Sequence, residues 1–451
     1  MNSATGSLYR TMWRWHFYAG LFVIPFVLVL SLSGAVYLFK PQIERWEERA
    51  FQGLPTAVAV APGQQVAAAL AAIPGATLHS YRLPQRAGDA AMVHVALADS
   101  NGMRDVFVSP QGEVLGNLDP DTRVPEVVRR IHGQLLLGSR GSWLVELAAS
   151  WAIVMIVTGL YLWWPRGRGP AGVMWPRRRS LLRDLHAVTG FWVSGFVLVL
   201  LITGLPWAGA WGSAFSALRK EMDWVRGTPD WSIGGAPAAV ADQHSGHEHS
   251  AMHAAHAHGA DLSVLDRFVT MAAAEDLAFP VLVLAPGAAQ FESEPSPNWI
   301  IKSDAQNRPL RQTIQVDAET GAIISRERFA DQHPVDRVVG YGIAWHEGQL
   351  FGWINQFAGV CTALALATMS VTAFLMWRRR RPTGALGAPA APVDSRKPVI
   401  VAAAILGLAA LLPLLAASLL FLWLCDWILP RISPATASWL GMAPSAAGRR
   451  R

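Results

Sequence analysis

Four histidines stand where imidazole could hold a metal. Residues 16–39 read HFYAGLFVIPFVLVLSLSGAVYLF, and residues 186–209 read HAVTGFWVSGFVLVLLITGLPWAG. Each stretch opens with a histidine (His16, His186), carries glycine four residues later (Gly20, Gly190), and shares FVLVL in register. Each carries glycine again at Gly34 or Gly204. A second matched pair follows in IHGQLLLG (131–138) and WHEGQLFG (345–352), which hold His132 and His346. Thr158 stands 26 residues after His132, and Thr372 stands 26 after His346; Trp163 and Trp377 each stand 31 after. Neutral imidazole is a good axial ligand for haem iron, and two imidazoles fill both axial positions. Such a site has no place for dioxygen and suits electron transfer. Gly20 and Gly190 lie one turn beyond the inner histidines on the same helix face, where a missing side chain would admit a flat macrocycle. Gly133 and Gly348 are a looser analogue, because Glu347 intervenes in the second copy. Gly34 is expected to lie away from both pairs.

Three other chemistries compete with this one. Histidines at helix ends can simply be hydrogen-bonded, and duplication copies an idle residue as readily as a working one. Ionisable groups near a bilayer can relay protons, but the intervening runs offer little beyond Ser and Thr. Zinc is disfavoured, since neither pair has a Cys or carboxylate nearby in sequence.

The elements that must position these residues are apolar helices. Of 451 residues, 52% are hydrophobic and 20 are Trp. A bilayer core about 30 Å thick takes about 20 helical residues. Five runs reach that length: 17–39, 143–164, 187–209, 357–377 and 399–425. Aromatic residues such as Trp163, Trp164, Trp207, Trp211 and Trp377 gather at their ends, as in an interfacial belt. Arg10 and Arg14 precede the first run. Arg166, Arg168, Arg177, Arg178, Arg179 and Arg183 join the second to the third, and Arg378 to Arg381 with Arg396 and Lys397 join the fourth to the fifth. Those basic loops fall on one side, which is therefore cytoplasmic. The net charge of +6 follows from this topology. No basic face interleaved with aromatics points to nucleic acid. The first run is long and lacks a small-residue cleavage site, so it reads as a retained anchor. Cys361 and Cys425 sit singly in separate apolar runs and read as buried, inert thiols, with no disulfide framework.

The resulting order is an N-terminus with a first span (1–39), an outer module (40–131), a second span with an outer extension (132–165) and a cytoplasmic loop (166–185). A third span (186–211), a second outer module (212–345) and a fourth span with extension (346–378) repeat the plan. A linker (379–398), a fifth span (399–429) without histidine and a tail (430–451) complete the chain. Each module ends in strand–turn–strand patterns, DVFVSPQGEVLG (105–116) and IQVDAETGAIIS (314–325), with helical spacing upstream at 63–74 and 262–277. The fold class is thus an all-α membrane core built on a helix–module–helix repeat. It carries two small α+β modules, each a helix on a short antiparallel sheet. His132 lies 11 residues before Trp143, roughly 16 Å along a straight helix. The GSRGS at 138–142 is expected to bend that segment, placing the outer pair at or above the interface.

Other residues invite chemistry. His244, His247, His249, His253, His256 and His258 crowd residues 244–258, with Glu248 and Met252 among them. Such a loop either captures metal ions weakly or is a tolerated low-complexity insertion. Glu146 lies within an apolar run, where it either serves proton transfer or a haem propionate or hydrogen-bonds near the interface. Arg129, Arg130 and Arg140 flank the outer pair and could attract an anionic chelate, or they are solvated charge. No GxGxxG follows a strand, and no Walker, GxSxG or HExxH pattern occurs. A redox protein of this kind therefore needs a separate cytoplasmic electron donor or quinol.

RWHFYAGLFVIPFVLVLSLSGAVYLF, IHGQLLLG, VTGLYLWWP, RDLHAVTGFW and WHEGQLFG together resemble the PepSY-associated transmembrane helix family of iron-regulated inner-membrane proteins, over roughly residues 8–380 plus the last helix. The resemblance implies a helical core in the bacterial inner membrane, the N-terminus cytoplasmic and PepSY-like modules periplasmic. It implies two haem b groups with His16, His186, His132 and His346 as axial ligands. It also implies reduction of a ferric siderophore or related ferric chelate in the periplasm. A metal- or haem-handling transporter component and a PepSY-type regulatory protein without redox activity are the alternative functions.

Overall fold

The computed structural model describes residues 3–98, 102–164, 173–177, 181–224, 262–288, 296–389 and 399–442. The chain divides into two compact units, one of residues 1–35, 131–215 and 357–451, the other of residues 36–130 and 216–356. The described α-helices are α1 (Ser3–Tyr37), α2 (Lys40–Glu47), α3 (Pro62–Ala72), α4 (Val124–Gln134), α5 (Gly138–Trp163), α6 (Leu181–Gly204) and α7 (Gly209–Glu221). They continue with α8 (Leu262–Ala274), α9 (Pro334–His346), α10 (Trp353–Arg380), α11 (Val399–Leu411), α12 (Pro413–Ile432) and α13 (Pro434–Trp439).

Among the described residues, five helical stretches are long and apolar enough to cross a membrane: Leu8–Tyr37, Gly138–Trp163, Leu181–Trp207, Trp353–Arg380 and Pro413–Ile432. Two differ from expectation. The fifth does not begin at 399. Leu412 is extended (φ −127°, ψ 91°) and Pro413 follows it. Proline has no N–H to continue a helix and disfavours helical geometry in the residue before it. The run therefore splits into α11 and a separate span, α12, that reaches Ile432. The second span begins at Gly138, so GSRGS lies inside α5. The break comes earlier, where Leu135 and Leu136 take left-handed conformations (φ 51° and 59°). A Cβ on Gly141 would lie 1.6 Å from the Gln134 carbonyl oxygen, so only glycine admits that close turn. His132 thus sits on its own helix, α4, and its height does not accumulate along α5.

Within the first unit, Ala19, Val23, Trp151, Ala152, Leu205, Leu412 and Leu415 form a buried cluster. Trp151 Nε1 donates to Ser418 Oγ at 3.1 Å. The tail is fastened as well: Tyr18 Oη donates to the Leu440 carbonyl at 2.5 Å. Arg14 donates to the Gly441 carbonyl at 3.2 Å and to the Pro389 carbonyl. Cys361 is exposed along α10 rather than buried, because its face of the helix meets no protein.

The second unit holds an antiparallel sheet of β1 (Thr77–Arg82), β2 (Ala91–Ala96), β3 (Met103–Val108), β4 (Val114–Leu118), β5 (Val281–Leu284), β6 (Trp299–Ser303), β7 (Gln312–Val316) and β8 (Ile323–Arg328). Two small sheets were expected; among the described residues one eight-stranded sheet is found, in the order β4-β3-β2-β1-β5-β6-β7-β8. Ser80, Tyr81 and Arg82 pair with Leu284, Val283 and Leu282 across the seam. Joining the halves there removes two open edges whose unpaired N–H and C=O groups would otherwise need partners. Helices α3 and α8 cover one face together. Val66, Val93, Val106, Leu265, Phe268, Val283, Ile301 and Ile314 belong to one continuous core. The helices approach so closely that a Cβ on Gly63 would lie 2.5 Å from the Leu262 carbonyl oxygen, and Gly63 N–H donates to Asp266 Oδ1 at 2.7 Å.

Candidate functional site

The inner histidine pair comes together. The rings of His16 on α1 and His186 on α6 have centroids 6.3 Å apart and planes at 78°. His16 Nδ1 stands 2.9 Å from the Met155 carbonyl oxygen, and His186 Nδ1 stands 3.1 Å from the Met369 carbonyl oxygen. A carbonyl only accepts, so each Nδ1 carries the proton and each Nε2 carries the lone pair that a metal needs. Hydrogen bonding of the second nitrogen to a carbonyl is the usual orienting contact of a ligating imidazole. Met155 and Met369 each lie 23 residues after their outer histidine, so the two contacts are also matched in sequence.

The spacing can be tested against a bound iron. Metal–nitrogen bonds of about 2.0–2.1 Å, with a ring centre about 1.1 Å beyond the nitrogen, put two trans imidazole centroids about 6.3 Å apart. The observed separation matches that value, and the residues present fit a bis-imidazole group.

Small residues make the fit. A Cβ on Gly159 would lie 3.0 Å from His16 Cε1, so glycine in α5 lets the ring lie against the backbone. Thr158 Oγ1 lies 3.3 Å from His16 Nδ1 and donates to the Val154 carbonyl at 2.8 Å. Gly20 and Gly190 face the two methionines: a Cβ would meet Met155 Sδ at 3.8 Å in the first case and Met369 Cε at 3.0 Å in the second. Two residues before His186, Asp184 is fully buried. It accepts from Arg177 Nε at 2.8 Å and from the Arg177 backbone N–H at 3.0 Å, which fixes the start of α6.

The outer histidines are placed differently. His132 belongs to the first unit and His346 to the second. His132 Nδ1 stands 3.1 Å from Ser33 Oγ on α1. Burial pushes its pKa below the ordinary histidine value, and a hydrogen bond to the Leu30 backbone opposes that shift. Gly34 does not lie away from the pairs: a Cβ there would stand 3.0 Å from His132 Cε1. The repeat at Gly34 and Gly204 was visible in sequence, but nothing local links Gly34 to a ring 98 residues downstream. His346 is the last residue of α9. Gly133 has open space around its Cβ position, whereas Gly348 (φ +74°) would meet Leu38 Cδ2 at 2.6 Å. These two glycines are therefore not equivalents.

Of the remaining candidates, Glu146 is buried and accepts from the Ala210 N–H at 2.8 Å and the Trp211 N–H at 3.1 Å. It caps the first turn of α7, a positioning role. Arg129 makes a two-pronged contact with Glu126, at 2.8 Å from Nε and 2.5 Å from Nη2. Arg130 donates to the Asp121 carbonyl at 2.6 Å, while Arg140 is exposed. The histidines at 244–258 lie outside the described residues. The orienting carbonyls of Met155 and Met369, and Gly159, were not singled out by residue pattern. A backbone acceptor has no residue-type signature.

The sequence model of the family described as "PepSY-associated TM region" matches residues 13–380. No curated protein matches the chain.

Proposed function

The chain belongs to the PepSY-associated TM region family, and we propose that it is a di-haem b-type electron-transfer protein of the bacterial inner membrane. In this reading it reduces a ferric siderophore, or a related ferric chelate, in the periplasm. The observation that carries the reading is the His16–His186 pair: centroids 6.3 Å apart, with each Nδ1 turned to a main-chain carbonyl. A haem held by His16 and His186 would supply reversible one-electron chemistry there.

The chain's own residues do the positioning. The Met155 and Met369 carbonyls hold the imidazoles in one tautomer. Gly159 sets the depth of the His16 ring. Asp184 and Arg177 anchor the helix that carries His186. The second pair, His132 and His346, enters the proposal on the sequence repeat. One electron per ferric ion comes from a cytoplasmic donor or quinol. Reduction to ferrous iron then loosens the grip of hard oxygen ligands on the metal. The symmetric strand order on either side of the β1–β5 seam supports reading the sheet as two PepSY-like halves of a duplicated helix–module–helix unit. In the proposed orientation these halves are periplasmic and the N-terminus cytoplasmic.

The test is a pyridine haemochrome assay on purified protein. The wild type is expected to hold two haems. His16→Ala or His186→Ala is expected to hold one, because a single imidazole cannot complete the inner site. Loss of both haems, or of neither, from folded protein overturns the pairing.

A further inference from the structure

A second pair of imidazoles meets far from the first in sequence, on the sheet. The spacing of buried residues in β1 shows how. Leu78 and Tyr81 both point into the helix-covered core, although strict alternation would set them on opposite faces. The register against β2 shifts between Leu78 and Ser80, so His79 is the extra residue of a β-bulge. The extra residue shifts the register by one, which puts Tyr81 on the same face as Leu78, and it re-aims its own side chain. Here it brings the His79 ring to within 5.2 Å of the His94 ring, centroid to centroid, with the planes at 83°.

His94 is fixed in turn. It lies directly opposite Asp105 in the β2–β3 register, and its Nδ1 stands 2.5 Å from Asp105 Oδ1. The Asp105 side chain is only 5% exposed, and its other oxygen stands 3.6 Å from Arg123 Nη1. A buried carboxylate held by an arginine on one oxygen and an imidazole on the other is the arrangement that orients a ligating histidine. His79 Nδ1 is engaged as well, 3.3 Å from Ser80 Oγ.

The separation is compatible with a shared metal ion. With metal–nitrogen bonds of about 2.0–2.1 Å, two imidazoles at a tetrahedral angle have centroids about 5.1 Å apart. We propose that His79 and His94 form a two-imidazole site, with Asp105 as the orienting carboxylate, for a divalent transition-metal ion of the zinc–copper class. Imidazole suits such ions. Among the described residues no group of three or more His, Cys, Asp or Glu side chains is arranged to hold a metal. The protein therefore contributes two ligands, and solvent or a small chelator completes the set. This assignment stands independently of the haem reading.

The test uses the intact chain and zinc. Diethyl pyrocarbonate modification is followed residue by residue by mass spectrometry, with and without Zn²⁺. Zinc is expected to slow modification of His79 and His94 at least tenfold and to leave His333 unchanged. His333 caps α9 in the same unit and reports that the fold is intact. Asp105→Asn is expected to raise the zinc concentration needed for protection by about 10- to 100-fold. His94→Gln is expected to abolish protection of His79, because one imidazole alone holds zinc poorly. Equal rates with and without zinc at both histidines overturn the assignment. So does protection of His79 that survives His94→Gln with His333 unchanged. An unaltered zinc midpoint in Asp105→Asn removes the orienting role of that carboxylate.

Discussion

Two pairs of histidines in this chain differ in ways that separate their chemistry. The membrane pair has centroids 6.3 Å apart and the sheet pair 5.2 Å. The first distance suits opposite sides of one metal, the second a tetrahedral corner. The membrane rings are oriented by main-chain carbonyls, the sheet ring of His94 by a carboxylate. A neutral carbonyl fixes a tautomer and adds no net charge, which suits an apolar helix bundle where burying a carboxylate would be costly. A carboxylate adds charge that favours a bare divalent ion. In the proposed assignments the surroundings would thus select between a flat prosthetic group and a simple ion, with imidazole as the ligand in both.

The sharpest way to break the comparison is at the glycines. Gly159→Leu puts a branched side chain where even a Cβ meets His16 Cε1 at 3.0 Å. It is expected to lower occupancy of the proposed inner haem site to less than half. Gly20→Ala, whose Cβ would meet Met155 Sδ at an ordinary 3.8 Å, is expected to leave occupancy unchanged. The haem-to-protein ratio of the two variants decides the matter; equal loss in both would show that helix packing, not ring placement, is being measured. Gly34→Leu should act on His132 instead, through the 3.0 Å approach to its Cε1. Its signature is loss of the second haem with the inner one retained, read from the separate reduced spectra of the two.

A gentler probe is Thr158→Val, which removes the hydroxyl 3.3 Å from His16 Nδ1 and leaves the Met155 carbonyl in place. A net hydrogen bond is worth about 1 kcal/mol, which for a one-electron couple corresponds to about 40 mV. The inner midpoint potential is expected to move by no more than that. A shift above 100 mV, on the order of 2 kcal/mol, would mean that the threonine, not the carbonyl, orients the ring.

The smallest expected effect lies on the sheet. Arg326 holds the Glu275 carboxyl below its ordinary range through a hydrogen-bonded pair, at 2.7 and 2.8 Å. The unfolded chain protonates first as pH falls, so this contribution is present above the ordinary glutamate value and is lost as pH drops through it and below. Both side chains are partly exposed, so Glu275→Gln should cost at most about 1 kcal/mol near neutrality and less at pH 3. Its zinc protection at His79 and His94 should match the wild type, in contrast to Asp105→Asn. Thermal unfolding at the two pH values, alongside the modification assay, checks both halves of this expectation.

How much of this was legible beforehand depends on whether the signal was local. The inner pair announced itself as His-x-x-x-Gly ahead of two apolar runs, and the helices followed from run length. The contacts that make the pair a site did not announce themselves. His16 meets a carbonyl 139 residues away, and any residue type supplies a carbonyl. The bulge at His79 was readable in principle, because Leu78 and Tyr81 are three apart and cannot share a face of a regular strand. The shared sheet was not: β1 and β5 pair across about 200 residues of sequence, and alternation shows only that a strand exists, not which strand it will join. The start of α12 was missed although Pro413 stood in plain view, since the apolar run continues unbroken through it.

That seam has a consequence for how the protein is made. Strands β1 to β4 are synthesised before α5 and α6, and β5 to β8 only after them. During translation the first half must therefore wait, with the β1 edge open, while two helices long and apolar enough to cross a bilayer are made. An open edge invites the wrong partner, and a pairing this distant in sequence is slow to form. The interval between the two halves is thus the vulnerable period in the life of the chain. Lesions at Val283 or Leu284, which complete the seam, should show themselves as poor yield of assembled protein before they show themselves in anything the finished molecule does.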